Sequence, residues 1–562
     1  MLTLRPRAAR IAVVARPDSS IEAGQRRSAI PRRRSVSRPP WIVLLPALLV
    51  AGLTLVPVAY LLIRASEGGS DLWRLLWRER TAQVLINTAV LAVTVAAASS
   101  AIAVPLAWLT LRTDLPGRRF WATIAPLPLV IPSFVGALTI VAALGPRGFL
   151  QEALEGPFGV ERLPEIYGFW GAWLTLTLFT YPYVFLSVRA ALRGLDPSLE
   201  EAARCLGHGA WRTFFLTTLP QLRPAVIAGA LLAALYTISD FGVVTLLRYD
   251  AFTREIYVQY RASFDRTLAA ALALLLVAFA ILLLAFEARM RGRAAYHRLG
   301  SGAARRARLV PLGVWRYPAL AFCLVIVALS LGLPLGVLGY WLIRTLRRDE
   351  APEGLLIAAQ HSITVGAAAA AVTTLAALPV ALLVVRYRTR IGRWVERVSY
   401  AGYGLPGIVV ALAFVFIGAR YLTPLYQTLP LLIIAYLVRF LPQAVAAARG
   451  SLLQVNPRLE EAARNLGRSP FGAIRSVTLP LAWPGIGAGA ALVFLTVMKE
   501  LPITLLLSPT GYKTLATSVW TSAGSGSYGE AAAPALILVL ISAIPTLLLA
   551  GRHGGQTPRG DE

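Results

Sequence analysis

The sequence predicts an all-α membrane protein, with about twelve transmembrane helices in two tandem six-helix halves related by a pseudo-twofold axis along the membrane normal. Three observations predict it. Hydrophobic residues make up 57% of the 562 residues and mean hydropathy is +0.64, outside the range of an ordinary soluble domain. Twelve apolar stretches begin near Trp41, Val84, Trp121, Phe169, Arg223, Leu268, Tyr317, Leu356, Val398, Leu429, Trp483 and Ala531, each long enough for the roughly 20 residues that a spanning helix needs. A polar segment also occurs twice: LEEAARCLG, running on to Leu219 and Pro220, and LEEAARNLG, running on to Leu479 and Pro480. Laid together without a gap, residues 199–220 and 459–480 are identical at 11 of 22 positions. Unrelated segments would share roughly one or two, so the chain is an internal duplication.

Taken in order, residues 1–40 form a basic tail with ten arginines before Pro39, low in complexity and reading as disordered. This stretch is too long for the n-region of a cleaved signal, and the apolar run after it can span, so the first helix is expected to remain. The first six-helix half occupies 41–288 and a basic linker 289–315. The second half occupies 316–550, and 551–562 form a short tail. Eight arginines fall from Arg289 to Arg316; positive charge is retained on the cytoplasmic side, which places both termini of this multi-pass chain there. The net charge of +27 is spread in strips beside apolar helices, where anionic lipid headgroups are the nearer partner, and nucleic acid is not expected. Cys205 and Cys323 make no disulfide framework, and His208, His297, His361 and His553 show no metal-ligand spacing. No metal site is expected.

The duplication reaches beyond the loop. Asn87, Thr88, Pro105 and Pro132 pair with His361, Ser362, Pro379 and Pro406 at a spacing of 274, which then falls to 260. The residues lost belong to the outer loop from Gly145 to Ile166, which is short in the second half. An even number of helices separates the copies, so both halves run the same way through the membrane, and a pathway between them is the consequence.

Local physics builds the repeated loop. Asp196 is a good N-cap, Pro197 suits the first helical position, Glu200 and Glu201 lie near the positive end of the helix dipole, and Gly207 can stop the helix. Asn456, Pro457, Glu460, Glu461 and Gly467 repeat the pattern. The result is a helix of about ten residues, about 15 Å long, too short and polar to span. Ala202 and Ala203, with Ala462 and Ala463, let a partner approach closely, while the flanking Glu and Arg residues offer charged contacts. A merely well-capped connector would explain Asp196, Pro197 and Gly207. It would not explain why Glu-Glu-Ala-Ala-Arg outlasted the divergence of residues 211–217 from 471–477.

Asp240 and Glu500 align with each other inside apolar stretches, and an intramembrane carboxylate is a functional candidate. Facing each other across the pseudo-twofold axis, they would line a path for a cation, with Lys499 pairing with one of them when the path is closed. The alternative is that both stabilise helix ends near the outer interface. A phosphate-cradling P-loop requires GxxxxGK followed by Ser or Thr, and neither Lys499 nor Lys513, the two lysines, follows a glycine. Covalent catalysis and ATP hydrolysis are therefore not expected of this chain.

EAA, a Gly six residues after the Glu and a distal LP resemble the cytoplasmic signature of permease subunits of ABC importers. Glu201, Ala202, Ala203, Gly207, Leu219 and Pro220, with Glu461, Ala462, Ala463, Gly467, Leu479 and Pro480, match it in both copies. The resemblance implies that the two loops are coupling helices seated in grooves of a cytoplasmic ATPase dimer. It also implies that ATP and Mg are bound by that ATPase, and that an extracytoplasmic substrate-binding protein delivers the cargo. The fused form is most similar to permeases for ferric iron, with thiamine permeases as close relatives and polyamine or sulfate as further cargoes of the same architecture. Ser239-Asp240-Phe241-Gly242 and Lys499-Glu500-Leu501-Pro502, each followed by paired leucines, resemble the iron-type subgroup. A secondary transporter of the major facilitator type also has two six-helix halves, but its loop motif is matched here only by Asp114, Gly117, Arg118 and Arg119, and it gives no reason for a repeated EAA loop. A passive channel would not need that loop at all.

Overall fold

In the computed structural model, the residues described are 39–67, 69, 78–146, 148–262, 267–291, 309–348, 354–387 and 389–554. The basic tail, most of the linker expected at 289–315 and the end of the C-terminal tail lie outside the described residues. The first half contributes α1 (Trp41–Ser66), α2 (Glu79–Arg112), α3 (Arg118–Ile124), α4 (Ser133–Leu144), α5 (Phe149–Phe158), α6 (Phe169–Gly194), α7 (Pro197–Cys205), α8 (Ala210–Ser239), α9 (Gly242–Leu246), α10 (Phe252–Ala262) and α11 (Thr267–Arg291). The second contributes α12 (Gly313–Arg347), α13 (Leu355–Tyr387), α14 (Arg390–Ala401), α15 (Gly407–Arg420), α16 (Leu429–Gln454), α17 (Pro457–Asn465), α18 (Pro470–Met498), α19 (Pro502–Leu507), α20 (Leu515–Gly524) and α21 (Tyr528–Gly554). Every numbered helix of one half has a counterpart in the other except α5, which lies in the outer loop that is short in the second half.

Ten of the described helical segments, with α4 and α5 taken together as one, are long and apolar enough to cross a membrane, and the bent pair formed by α14 and α15 would make an eleventh. The apolar part of α21 described at side-chain level, Tyr528–Ile544, is slightly shorter. The stretches expected to span from Trp121 and Val398 are each broken. Residues 390–404 meet α15 at 104°, and α3 is separated from α4 by a 3-10 turn at Leu127–Val130. Pro126, Pro128 and Pro132 in one half, and Gly402, Gly404 and Pro406 in the other, deny the backbone a continuous ladder. Beyond the break the chain turns inward: nearly every residue of α4 and α15 is buried.

Within each half the same three long helices pack together, α2 with α6 and α8, and α13 with α16 and α18. Small residues permit the closest crossings. A Cβ on Gly229 of α8 would stand 2.6 Å from Val184 Cα, and one on the equivalent Gly489 of α18 would stand 2.4 Å from Ala447 Cβ. The halves also exchange their first helices: α1 lies against α13, α14 and α15, while α12 lies against α4. The described residues from Pro39 onward therefore form one compact unit, with the interface between the halves at its centre.

Candidate translocation cavity and coupling helices

Both ends of α8 and α18 carry chemistry. At one end each helix stops beside a carboxylate. Asp240 follows Ser239, is 7% exposed, and accepts hydrogen bonds from the Val243 amide (2.8 Å) and the Ser133 hydroxyl (2.5 Å). Glu500 follows Met498 and Lys499 and accepts from the Ile503 amide (3.4 Å). In both copies the acid's backbone carbonyl accepts a threonine hydroxyl, Thr253 on Asp240 and Thr504 on Glu500, each at 2.6 Å. A carboxylate that follows the end of the long helix and accepts from an amide in the first turn of the next short one is held at a fixed depth.

Asp240 and Glu500 line one cavity of about 430 Å³ between the halves. The first half supplies Ser133, Phe179, Tyr183 and Tyr236 to its wall; the second supplies Gly407, Arg439, Gln443 and Lys499. At roughly 30 Å³ per water in the liquid, this volume would hold about a dozen waters, enough for a hydrated ion or a small complex. The charges among the lining residues balance, with two carboxylates against two cations. Among the described residues no group of three or more His, Cys, Asp or Glu side chains could hold a metal.

The two cations settle on carbonyls exposed by the broken helices. The Arg439 guanidinium donates to the Leu405 carbonyl, and the Lys499 ammonium reaches across the interface to the Leu129 carbonyl at 2.8 Å. Lys499 thus makes a bond between halves in place of the expected charge pair, and no described ion pair joins it to Asp240 or Glu500. The physical reason is local: helix breakage leaves carbonyls without their i+4 donors, and Pro132, three residues after Leu129, has no N–H to offer. Arg439 was missed in the sequence although it lies inside the apolar stretch from Leu429, and the criterion that singled out Asp240 would have found it. Ser133 and Gly407 carried no signal beyond their equal spacing from the aligned prolines.

At the opposite ends lie α7 and α17. Asp196 and Asn456 accept from the amides of Ser198 and Arg458, both at 3.0 Å. Gly207 and Gly467 end the helices at φ +84° and +87°, conformations that favour glycine. The helices run nine residues each. Glu201, Ala202, Glu461 and Ala462 are exposed, as are Leu206 and Leu466, while Ala203 and Ala463 face inward. Glu200 and Glu460, grouped with Glu201 and Glu461 in the sequence, turn away from that outer face. Glu200 Oε1 accepts from Thr218 at 3.0 Å and lies 3.7 Å from Arg112 Nη2; Glu460 Oε1 accepts from Thr478 at 2.5 Å and lies 2.6 Å from Arg386 Nε. Leu219, Pro220, Leu479 and Pro480 begin the regular helix that follows each threonine.

A protein-family profile described as the binding-protein-dependent transport system inner membrane component matches this chain twice, over residues 99–294 and 373–554. The Fe(3+)-transport system permease protein FbpB 2 of Haemophilus influenzae is 36% identical over 518 residues, 91% of this chain and 98% of that protein. The ferric transport system permease protein FbpB of Actinobacillus pleuropneumoniae is 25% identical over 453 residues, 76% of this chain and 64% of that protein. The molybdenum transport system permease protein ModB of Escherichia coli is 38% identical over a shorter region, 136 residues, 24% of this chain and 58% of that protein.

Proposed function

We propose, from the premise that this chain belongs to the family of binding-protein-dependent transport system inner membrane components, that it is the permease of an importer for ferric iron. Members of this family are transport permeases of ABC importers rather than enzymes. Two findings support the cargo: likeness to a ferric permease along nearly the whole of both chains, and a cavity whose opposed walls carry Asp240 and Glu500. The second observation carries the mechanism. Hard oxygen donors suit a hard cation, and acids contributed by separate halves change their separation when the halves rock.

In this reading α7 and α17 lie on the cytoplasmic side and seat on the ATPase dimer that binds ATP and Mg. A substrate-binding protein releases iron at the opposite face. Rocking of the halves exposes Asp240 and Glu500 first to one side and then to the other, and the bond from Lys499 to Leu129 breaks and reforms in each cycle.

A second reading, an oxyanion cargo, draws on Arg439 and Lys499 in the cavity and on the regional likeness to the molybdenum permease. Purification of the tagged chain from its native membrane distinguishes the two. A co-purifying P-loop ATPase, and a binding protein loaded with ferric iron, would support the iron importer; a binding protein loaded with an oxyanion would replace it. In proteoliposomes made with these partners, Asp240→Asn combined with Glu500→Gln should lower ferric uptake at least tenfold. Normal uptake would remove the two acids from the pathway.

A further inference from the structure

The first glutamate of each repeated pair has no role in the outer face of its helix. Glu200 and Glu460 have side chains only 12% and 16% exposed, against arginines 7% and 11% exposed. Each arginine is anchored in turn to the end of the helix that leads into the loop: Arg112 Nη2 donates to the Leu192 carbonyl at 3.1 Å, and Arg386 Nη2 to the Leu452 and Val455 carbonyls at 3.4 Å. The arginines close α2 and α13, the threonines open the regular part of α8 and α18, and the carbonyls belong to α6 and α16 or its C-cap. One carboxylate on each short helix is thus tied to the three long helices of its half, in two copies built from equivalent positions.

We infer that Glu200 with Arg112 and Thr218, and Glu460 with Arg386 and Thr478, are the positioning residues that carry displacement of α7 and α17 into the membrane helices. The inference rests on the reading that these short helices seat on the ATPase. The geometry gives it direction. From Thr218, 21 residues of unbroken helix run to Ser239, beside Asp240; from Thr478, 20 residues run to Met498, beside Lys499 and Glu500. Each is a rod of about 30 Å. A five-residue π-helical stretch, Phe214–Thr218 or Ile474–Thr478, lies between each short helix and its rod. The side-chain tie bypasses both that stretch and the non-helical turn before it, at 206–209 or 466–469, where the regular i→i−4 ladder is interrupted. With the tie in place the short helix and the base of the rod move together. Without it the interrupted stretch can absorb the motion.

The test uses the full chain with its co-purifying ATPase and binding protein in proteoliposomes, reading three quantities: ATPase retained, ATP hydrolysed and cargo taken up. Glu200→Gln combined with Glu460→Gln removes the charge but keeps a side chain of equal size. The expected result is ATPase retained in the wild-type ratio, hydrolysis continuing, and uptake per ATP at least tenfold lower. Thr218→Val combined with Thr478→Val removes one hydrogen bond from each tie without altering volume, and uptake per ATP should fall about threefold. This second pair decides the matter if the glutamine chain does not assemble. Wild-type uptake per ATP in either assembled pair overturns the inference. So does loss of the ATPase from an otherwise folded glutamine chain, which would make these glutamates docking residues. Failure of any ATPase to accompany the wild-type chain refutes the functional reading instead, so the two failures are distinct.

Discussion

The two walls of the central cavity solve one problem in complementary ways. In the first half a serine stands at position 133 and a short acid at 240, and hydroxyl and carboxylate meet at 2.5 Å. In the second half the equivalent of the serine is Gly407 and the equivalent of the aspartate is the longer Glu500, whose Oε1 occupies the space a side chain would need: a Cβ at 407 would stand 2.4 Å from it. The methylene added to the acid is matched by the side chain removed from its neighbour. Duplication therefore preserved the depth of the carboxylate in the wall while allowing its residue type to change. The cations did not follow this pattern. Phe179 and Ser239 stand where the second half has Arg439 and Lys499, so positive charge enters the cavity from one side only.

The largest effect is expected where the halves agree, at their closest helix crossings. A Cβ at Gly229 would stand 2.6 Å from the Val184 Cα, and one at Gly489 would stand 2.4 Å from the Ala447 Cβ, which no rotamer can move. Gly229→Val and Gly489→Val should each cost roughly 3 kcal/mol of stability, the upper end of the usual range for overpacking. Thermal melting in detergent measures both. A much smaller loss in one of them would mean that its crossing relaxes more readily than its counterpart in the other half.

The acid–neighbour exchange offers an intermediate effect. Gly407→Ser should displace the Glu500 carboxylate and lower uptake about tenfold, in keeping with the loss of one charge-assisted hydrogen bond. Adding Glu500→Asp recreates the first-half arrangement and should restore most of the lost uptake. Restoration would establish that the two walls are interchangeable at this position; no recovery would show that the second half needs the longer acid for another reason, such as its closeness to Arg439.

Much of this was legible in the sequence because duplication leaves a pattern that composition cannot imitate. The helical halves, the capped short helices and the alignment of Asp240 with Glu500 all followed from spacing. Other features were not legible for physical reasons. Arg112 and Arg386 sit at the spacing of 274 and Thr218 and Thr478 at 260, so the alignment held their equivalence, but nothing one-dimensional showed that each pair closes on the same glutamate. Glu200 and Glu201 are adjacent letters on different faces of the helix, because successive helical residues are about 100° apart. Broken spans were hidden for a related reason: a proline within an apolar run permits either a kink or a turn inward, and the packing of α4 and α15 decides between them. Lys499 was drawn toward its sequence neighbour in expectation, whereas its flexible chain reaches a carbonyl of the other half.

The smallest expected difference lies in the two caps, charged in one copy and neutral in the other. Asp196 and Asn456 accept from equivalent amides at the same 3.0 Å, so hydrogen bonding alone predicts equal contributions of about 1 kcal/mol each. The aspartate also places a full negative charge at the positive end of the helix dipole, which adds a few tenths of a kcal/mol at a partly exposed site. Asp196→Ala should then raise hydrogen exchange in α7 by rather more than the roughly fivefold increase that Asn456→Ala produces in α17, since a local opening reports local stability. Raising the salt concentration should shrink the difference while leaving the common part, because screening acts on the charge and not on the hydrogen bond. If the difference persists in high salt, the distinction between the copies lies in packing around the loop rather than in the cap, and the symmetry of α7 and α17 is weaker than their shared geometry implies.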